Sequence, residues 1–272
     1  MKSDAVTGAA TRSVARATAG FIRSIAGRGK RLFFPDRDYR VWHGSVLPAP
    51  ELRFNGPDQQ DDAFYLASSM READRVISKL GCEPSSVLVD IGCGQGRLPI
   101  GLVLRLQGLR YLGLDVSLRS IDWCQRHIQS RHPTYMFEHI DLVNARYNPE
   151  GSALPPNFRL PVPDGGADVV YLWGVVTNME PEHLPVYARE IARMLRPGGR
   201  LFLTANVEDG VPRVSINPEN YTRFSCHGPL HIVRYERRYF LELFEQCGLE
   251  MTEYAHHAAG NCQSDLYFTR RV

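Results

Sequence analysis

Residues 87–100 read VLVDIGCGQGRLPI, and few folds accommodate such a stretch. A strand-forming run ends in glycines at 92, 94 and 96 and passes straight into a helix-forming segment. Glycine adopts backbone conformations that side chains oppose. The loop is therefore a tight strand-to-helix turn whose backbone can approach a ligand, and the helix N-terminus behind it favours a negative group. The alternation continues along the chain. Strands are expected over 86–91, 110–116, 134–142, 168–176 and 200–205, and helices over 97–107, 117–131, 183–196 and 237–246. A helix from Asp61 precedes them, with Leu66, Met70, Ala73, Ile77 and Leu80 at helical spacing and Gly81 as its stop. Two last strands, 250–255 and 264–269, have no helix between them. Such a pattern specifies an α/β fold: a Rossmann-like, doubly wound parallel sheet with helices on both faces and one antiparallel edge. Ligands of such sheets bind beyond the carboxyl ends of the strands.

The 272 residues divide into a basic arm over 1–34, a proline-rich linker or wrap-around segment over 35–60, and the α/β domain over 61–272, with 206–236 as an irregular lid. Residues 1–35 carry seven cations against one acid, net +6, so the net charge of +2 leaves the remainder at −4. Val14, Phe21 and Ile25 fall on one side of a helical wheel and Arg12, Arg16 and Arg23 opposite. Three readings compete for this arm: a helix packed on the body, a segment lying on an anionic membrane surface through residues 12–31, or an organelle import presequence. No window approaches a membrane span, and six cysteines without a CxxC pair fit a reducing, cytoplasmic setting.

The loop's G-x-G-x-G spacing differs from the G-x-G-x-x-G of dinucleotide binders. Asp90 precedes it, Asp115 closes the second strand, and Asp141 is expected to close the third. A carboxylate at the second strand end can accept both hydroxyls of a ribose. Helix capping is the commoner role of any one such aspartate, but three in succession on the binding edge point to a nucleoside ligand.

With these residues in place, the chain resembles the class I S-adenosylmethionine-dependent methyltransferases. The matching stretches are VLVDIGCGQGRLPIGL, YLGLDVS, FEHIDLVN, LPVPDGGADVVYLWGVVTNM and EIARMLRPGGRLFLT, over about residues 62–205. The resemblance implies S-adenosyl-L-methionine as cofactor and a sheet order 3-2-1-4-5-7-6 with strand 7 antiparallel. It implies that Asp90 and the loop Gly92, Cys93, Gly94, Gln95 and Gly96 hold the methionine part. Asp115, with Val116, takes the ribose; Asp141 and Leu142 flank the adenine; Trp173 lines the cofactor at the end of the fourth strand.

Methyl transfer from a sulfonium is an in-line displacement in which the protein mainly aligns donor and acceptor. An oxygen acceptor usually needs a base. Where a related subgroup reads S-V-F-T-H-M, this chain reads Gly174-Val175-Val176-Thr177-Asn178-Met179, so its histidine position is Asn178, which takes no proton but can orient a substrate. His183 and His227 are the other catalytic candidates, and Tyr221, His231 and Tyr235 are expected on the substrate side of the lid. No metal is demanded. The leading reading is O-methylation of a small-molecule, glycan or lipid-linked acceptor. The rivals are an RNA or protein methyltransferase, for which no recognition module is visible, a silent S-adenosylmethionine-binding protein, and a nicotinamide dehydrogenase, which the glycine spacing disfavours.

Overall fold

The computed structural model describes residues 38–54, 56–222, 227–258 and 262–272. The basic arm, with its segment 12–31, lies outside the described residues. In chain order the elements are β1 (Tyr39–Trp42), β2 (Ser45–Pro48), α1 (Asp62–Ser78), β3 (Val87–Ile91), α2 (Arg97–Arg105), β4 (Arg110–Asp115), α3 (Leu118–Cys124), β5 (Tyr135–His139), β6 (Ala167–Leu172), α4 (Leu184–Met194), β7 (Leu195–Glu208), β8 (Val214–Ile216), β9 (Val233–Glu236), α5 (Arg237–Glu245), β10 (Leu249–Ala255) and β11 (Ser264–Arg270).

The sheet runs β5-β4-β3-β6-β7-β11-β10. β3, β4, β5, β6 and β7 are mutually parallel, and β11 is antiparallel to β7 and to β10. This is the order implied by the resemblance. The parallel strands are apolar because helices cover both faces: Leu88, Val89, Val170, Leu201 and Leu203 are all inaccessible to solvent. The chain steps outward from β3 through β4 to β5 and then crosses back to β6 on the other side of β3, so a cleft opens at the carboxyl end of β3. Behind the antiparallel edge, Phe240, Phe244 and Phe268 stack in a buried row with centroids 5.0–5.1 Å apart.

Several elements differ from the sequence expectation. Residues 38–60 include a hairpin, β1 with β2, and two short 3-10 turns, docked rather than slack. Asp38 anchors it: its carbonyl accepts Trp123 Nε1–H at 2.9 Å, and its buried carboxylate meets Arg126 at 2.7 Å and His127 at 3.2 Å. The Arg53 side chain is fully buried, donating to the carbonyls of Pro48 and Gln59 at 2.8 and 3.0 Å and pairing with Asp62. Helix α1 is capped by Asp61, which accepts Phe64 N–H at 2.7 Å, but its buried face is Tyr65, Ser68, Ser69, Glu72, Ala73 and Val76. The apolar stripe Leu66, Met70 and Ile77 is only half-buried. The reason is proximity to α2: a Cβ at Gly101 would lie 2.1 Å from the Ser69 carbonyl oxygen, so only small residues fit this contact.

At the RPGG sequence, Ala167 pairs with Leu195 and Val169 with Arg200, so residues 196–199 bulge out of an otherwise continuous β7. The excursion 206–236 is also more ordered than expected. β7 extends to Glu208 and pairs in parallel with β9, which pairs with β8.

Candidate functional site

Each glycine of the loop after β3 has a left-handed φ: +78° at Gly92, +51° at Gly94 and +76° at Gly96. Close packing adds to the conformational demand at two of them. A Cβ on Gly92 would sit 2.2 Å from Val175 Cγ2, and one on Gly96 2.4 Å from Ile128 Cδ1. Gly96 is thus a packing and N-cap position and does not line the cleft. Gly92, Cys93, Gly94 and Gln95 do, with Asp90, Arg97, Asp115, Val116, Leu142, Asn144, Trp173, Val175, Asn178 and Met179. The cleft holds about 1170 Å³, its open mouth included, and Phe54, Tyr65, Tyr147, Tyr171, His183 and Tyr187 complete its wall.

Two carboxylates dominate the floor. Asp90, 3% exposed, accepts the Tyr111 hydroxyl at 2.5 Å. Burial pushes its pKa up to about 7, only partly opposed by that hydrogen bond and by Arg97. Asp115 accepts the amides of Gly94 at 2.8 Å and Ser117 at 2.7 Å, one on each oxygen, so it ties the glycine loop to the start of α3. Each oxygen keeps a second lone pair. Burial also raises the Asp115 pKa, against the pull of those amides. Arg97, the first residue of α2, lies 4.0 Å above the Trp173 ring and 3.7 Å from Glu72, a carboxylate also held by the Tyr171 hydroxyl. Cys93 is buried beside Cys124, and burial drives its thiol well above the ordinary range, which disfavours the reactive thiolate.

Asp141 does not join them. β5 ends at His139, and the chain then turns through a bridge between Leu142 and Ser152. Asp141 is exposed and held by Ser152 Oγ at 2.9 Å and Asn148 Nδ2 at 3.2 Å, while Leu142 points inward.

The substrate-side expectations divide similarly. His183 lines the cleft at 7% exposure, and burial lowers its pKa despite Glu182 and Glu180 nearby. Asn178 also lines it, but its amide nitrogen donates to the carbonyls of Leu230 at 2.7 Å and His231 at 2.8 Å. It fastens the excursion to the sheet. His227 and His231 lie outside the cleft, the His227 amide donating to His231 Nδ1 at 2.7 Å. Tyr235 is fully buried against Phe240, and the Tyr221 hydroxyl donates to Glu208 at 2.8 Å, so neither faces the cleft. Sequence reasoning missed Arg97, Tyr147 and Tyr187. Arg97 had a signal, its place directly after Gly96; Tyr147 had none, sitting in an unpatterned loop where it meets Phe54 edge-on at 5.5 Å.

Comparison with known proteins agrees with this geometry. A family model described as a methyltransferase domain matches residues 65–254. The chain is 31% identical over 150 residues, 54% of its length, to a fatty-acid O-methyltransferase of Mycolicibacterium smegmatis, covering 44% of that protein. It is 27% identical over 190 residues, 61% of its length, to the U6 snRNA methylphosphate capping enzyme Amus of Drosophila melanogaster, covering 62% of it. The chain therefore spans roughly half the length of these relatives. Among solved structures, a Haloferax volcanii methyltransferase in complex with the Trm112 methyltransferase activator superposes with a TM-score of 0.55 at 17% identity, over 79% of this chain and 94% of that one, a likeness of fold. The chain belongs to the methyltransferase domain family, the class I enzymes that use S-adenosyl-L-methionine.

The residues present fit that cofactor. A desolvated carboxylate at Asp90 lacks the full cationic partner that an amino-acid ammonium brings. Asp115 has lone pairs free for two hydroxyls, and the cleft between is lined by backbone and apolar side chains.

Proposed function

We propose that the chain methylates an oxygen of a small, largely apolar acceptor. The observation that carries this reading is His183, a buried imidazole on the cleft wall whose pKa burial lowers. When bound, S-adenosyl-L-methionine supplies an electrophilic methyl group whose leaving group is a neutral thioether. The chain's residues do the rest. Asp90 holds the ammonium, Asp115 accepts the ribose hydroxyls, and the N-terminus of α2 with Arg97 faces the carboxylate. Leu142 and Val116 flank the base. His183 accepts the hydroxyl proton of the acceptor as the new O–C bond forms, which general-base catalysis makes worth roughly 10²–10⁴-fold. Phe54, Tyr147, Trp173, Met179 and Tyr187 give the acceptor side aromatic and apolar walls that exclude water. The similarity to a fatty-acid O-methyltransferase supports an acceptor with apolar carbon around its oxygen. A membrane-derived or lipid-linked acceptor fits the same walls, and the basic arm at 1–34 would bring the enzyme to such a source.

The test supplies purified chain with methyl-labelled cofactor and acceptors carrying aliphatic, phenolic, sugar or carboxylate oxygens, with total RNA and denatured protein as competitors. Label should enter an organic-soluble oxygen acceptor, and His183→Ala should lower kcat by about 10²-fold or more while affinity for S-adenosylhomocysteine is kept. Label recovered only in RNA or protein, or an unimpaired His183→Ala variant, would sink the reading.

A further inference from the structure

Glu208, His256 and His257 meet at the antiparallel side of the sheet, and among the described residues they form a group able to hold a metal ion, their donor atoms all within 4.8 Å of one another. His257 Nε2 lies 2.8 Å from Glu208 Oε1, and His256 Nε2 lies 3.1 Å from Oε2. The two imidazoles stack with centroids 3.8 Å apart, which aims both nitrogens at one carboxylate. A tetrahedral zinc ion with bonds of about 2.0–2.1 Å separates its donors by roughly 3.4 Å, close to these spacings. A second shell is also in place: Tyr221 Oη donates to Glu208 at 2.8 Å, orienting the carboxylate as outer-sphere partners of metal ligands do. None of the three residues lines the cofactor cleft.

We propose that Glu208, His256 and His257 bind a divalent transition ion of the zinc type, with a coordination position left open. Two imidazoles and a carboxylate suit zinc better than the hard cations, which take oxygen alone. The ion joins two separate pieces of chain, the end of β7 and the turn between β10 and β11, and Tyr221 ties the excursion to it through Glu208. The excursion is otherwise fastened by Asn178 on its other side. The ion therefore acts as the second fastening of the excursion, outside the cofactor cleft, and its open position can take water. This inference stands apart from the nature of the methyl acceptor.

The test is titration of the full, chelator-stripped chain with Co²⁺, followed by displacement with Zn²⁺. One equivalent should bind, with the visible bands of a nitrogen- and oxygen-ligated ion and no intense thiolate charge-transfer band. Tm should rise with Zn²⁺ concentration. Glu208→Gln and His256→Ala should each abolish that equivalent while circular dichroism and S-adenosylhomocysteine binding match the wild type. No saturable equivalent, a thiolate band, or full binding by both variants would overturn the assignment. Should the variants misfold, the spectrum and the Zn²⁺ dependence of Tm in the wild-type chain decide it.

Discussion

Asp90 shows how far a single residue can set opposing demands. Its folded-state pKa of about 7 lies above the ordinary 3.8, so the folded protein holds an extra proton between those values. Stability contributed at Asp90 therefore falls as pH rises from 3.8 to about 7. Asp90→Asn removes that burden and keeps an acceptor for the Tyr111 hydroxyl. Thermal melts at pH 8 should show the ligand-free variant stabilised by about 1–3 kcal/mol, while calorimetry should show S-adenosylhomocysteine binding weakened. A Tm below wild type at pH 8 would contradict this. In the wild type, binding near pH 6.5 should release a proton, visible as a binding enthalpy that changes with the ionisation enthalpy of the buffer. Asp115 makes a different prediction. Asp115→Ala should raise the dissociation constant for S-adenosylhomocysteine by about 10²-fold, because two hydrogen bonds to a charged group disappear at roughly 1.5–3 kcal/mol each, partly offset by water. Unchanged affinity would remove the ribose assignment. His183 predicts a pH profile: with its pKa below the usual 6.5, kcat should hold through neutrality and fall only under acid conditions. A rate that climbs through pH 8 would implicate another base.

At the scale of elements, the interlocked contact between α1 and α2 is the informative one. Gly101→Val should force α1 from α2, since even a Cβ there meets the Ser69 carbonyl oxygen at 2.1 Å. Overpacking of this kind costs about 1–3 kcal/mol, measurable by urea denaturation; a neutral result would show that α1 can shift freely. How much of this was legible depended on whether a signal was local. The strand ends at Asp90 and Asp115 were readable because each closes a mainly apolar run, whereas the sheet order came from the resemblance to a known family. Asp141 was misplaced because β5 stops two residues earlier and the chain turns, leaving Asp141 exposed against Ser152 and Asn148 while Leu142 is buried. The buried face of α1 was misjudged because its neighbours, Gly101 and Arg97, demand small and acidic residues where hydrophobic periodicity expects Leu66 and Met70. β9 was invisible as four residues in a polar stretch. Glu208 and His256 are 48 residues apart and meet only through the tertiary fold.

The whole molecule separates its tasks by region. The methyltransferase domain model covers residues 65–254, and the charge excess sits in the arm before it. No helix among the described residues is long and apolar enough to cross a membrane. Deleting residues 1–34 should therefore leave S-adenosylhomocysteine affinity and turnover of a freely dissolved acceptor within about twofold of the full chain, and should abolish co-sedimentation with anionic vesicles, in which each cation near the surface counts for about 1 kcal/mol. Loss of cofactor affinity in the truncated chain would place the arm in the cleft instead.

The contact between Gly92 and Val175 reaches beyond its own two residues. Because the turn after β3 is keyed into the turn after β6 with no room for one more carbon, the donor half of the cleft has a fixed gauge. Diversification toward new acceptors must then proceed through parts of the wall away from this contact, such as Tyr147 and Tyr187.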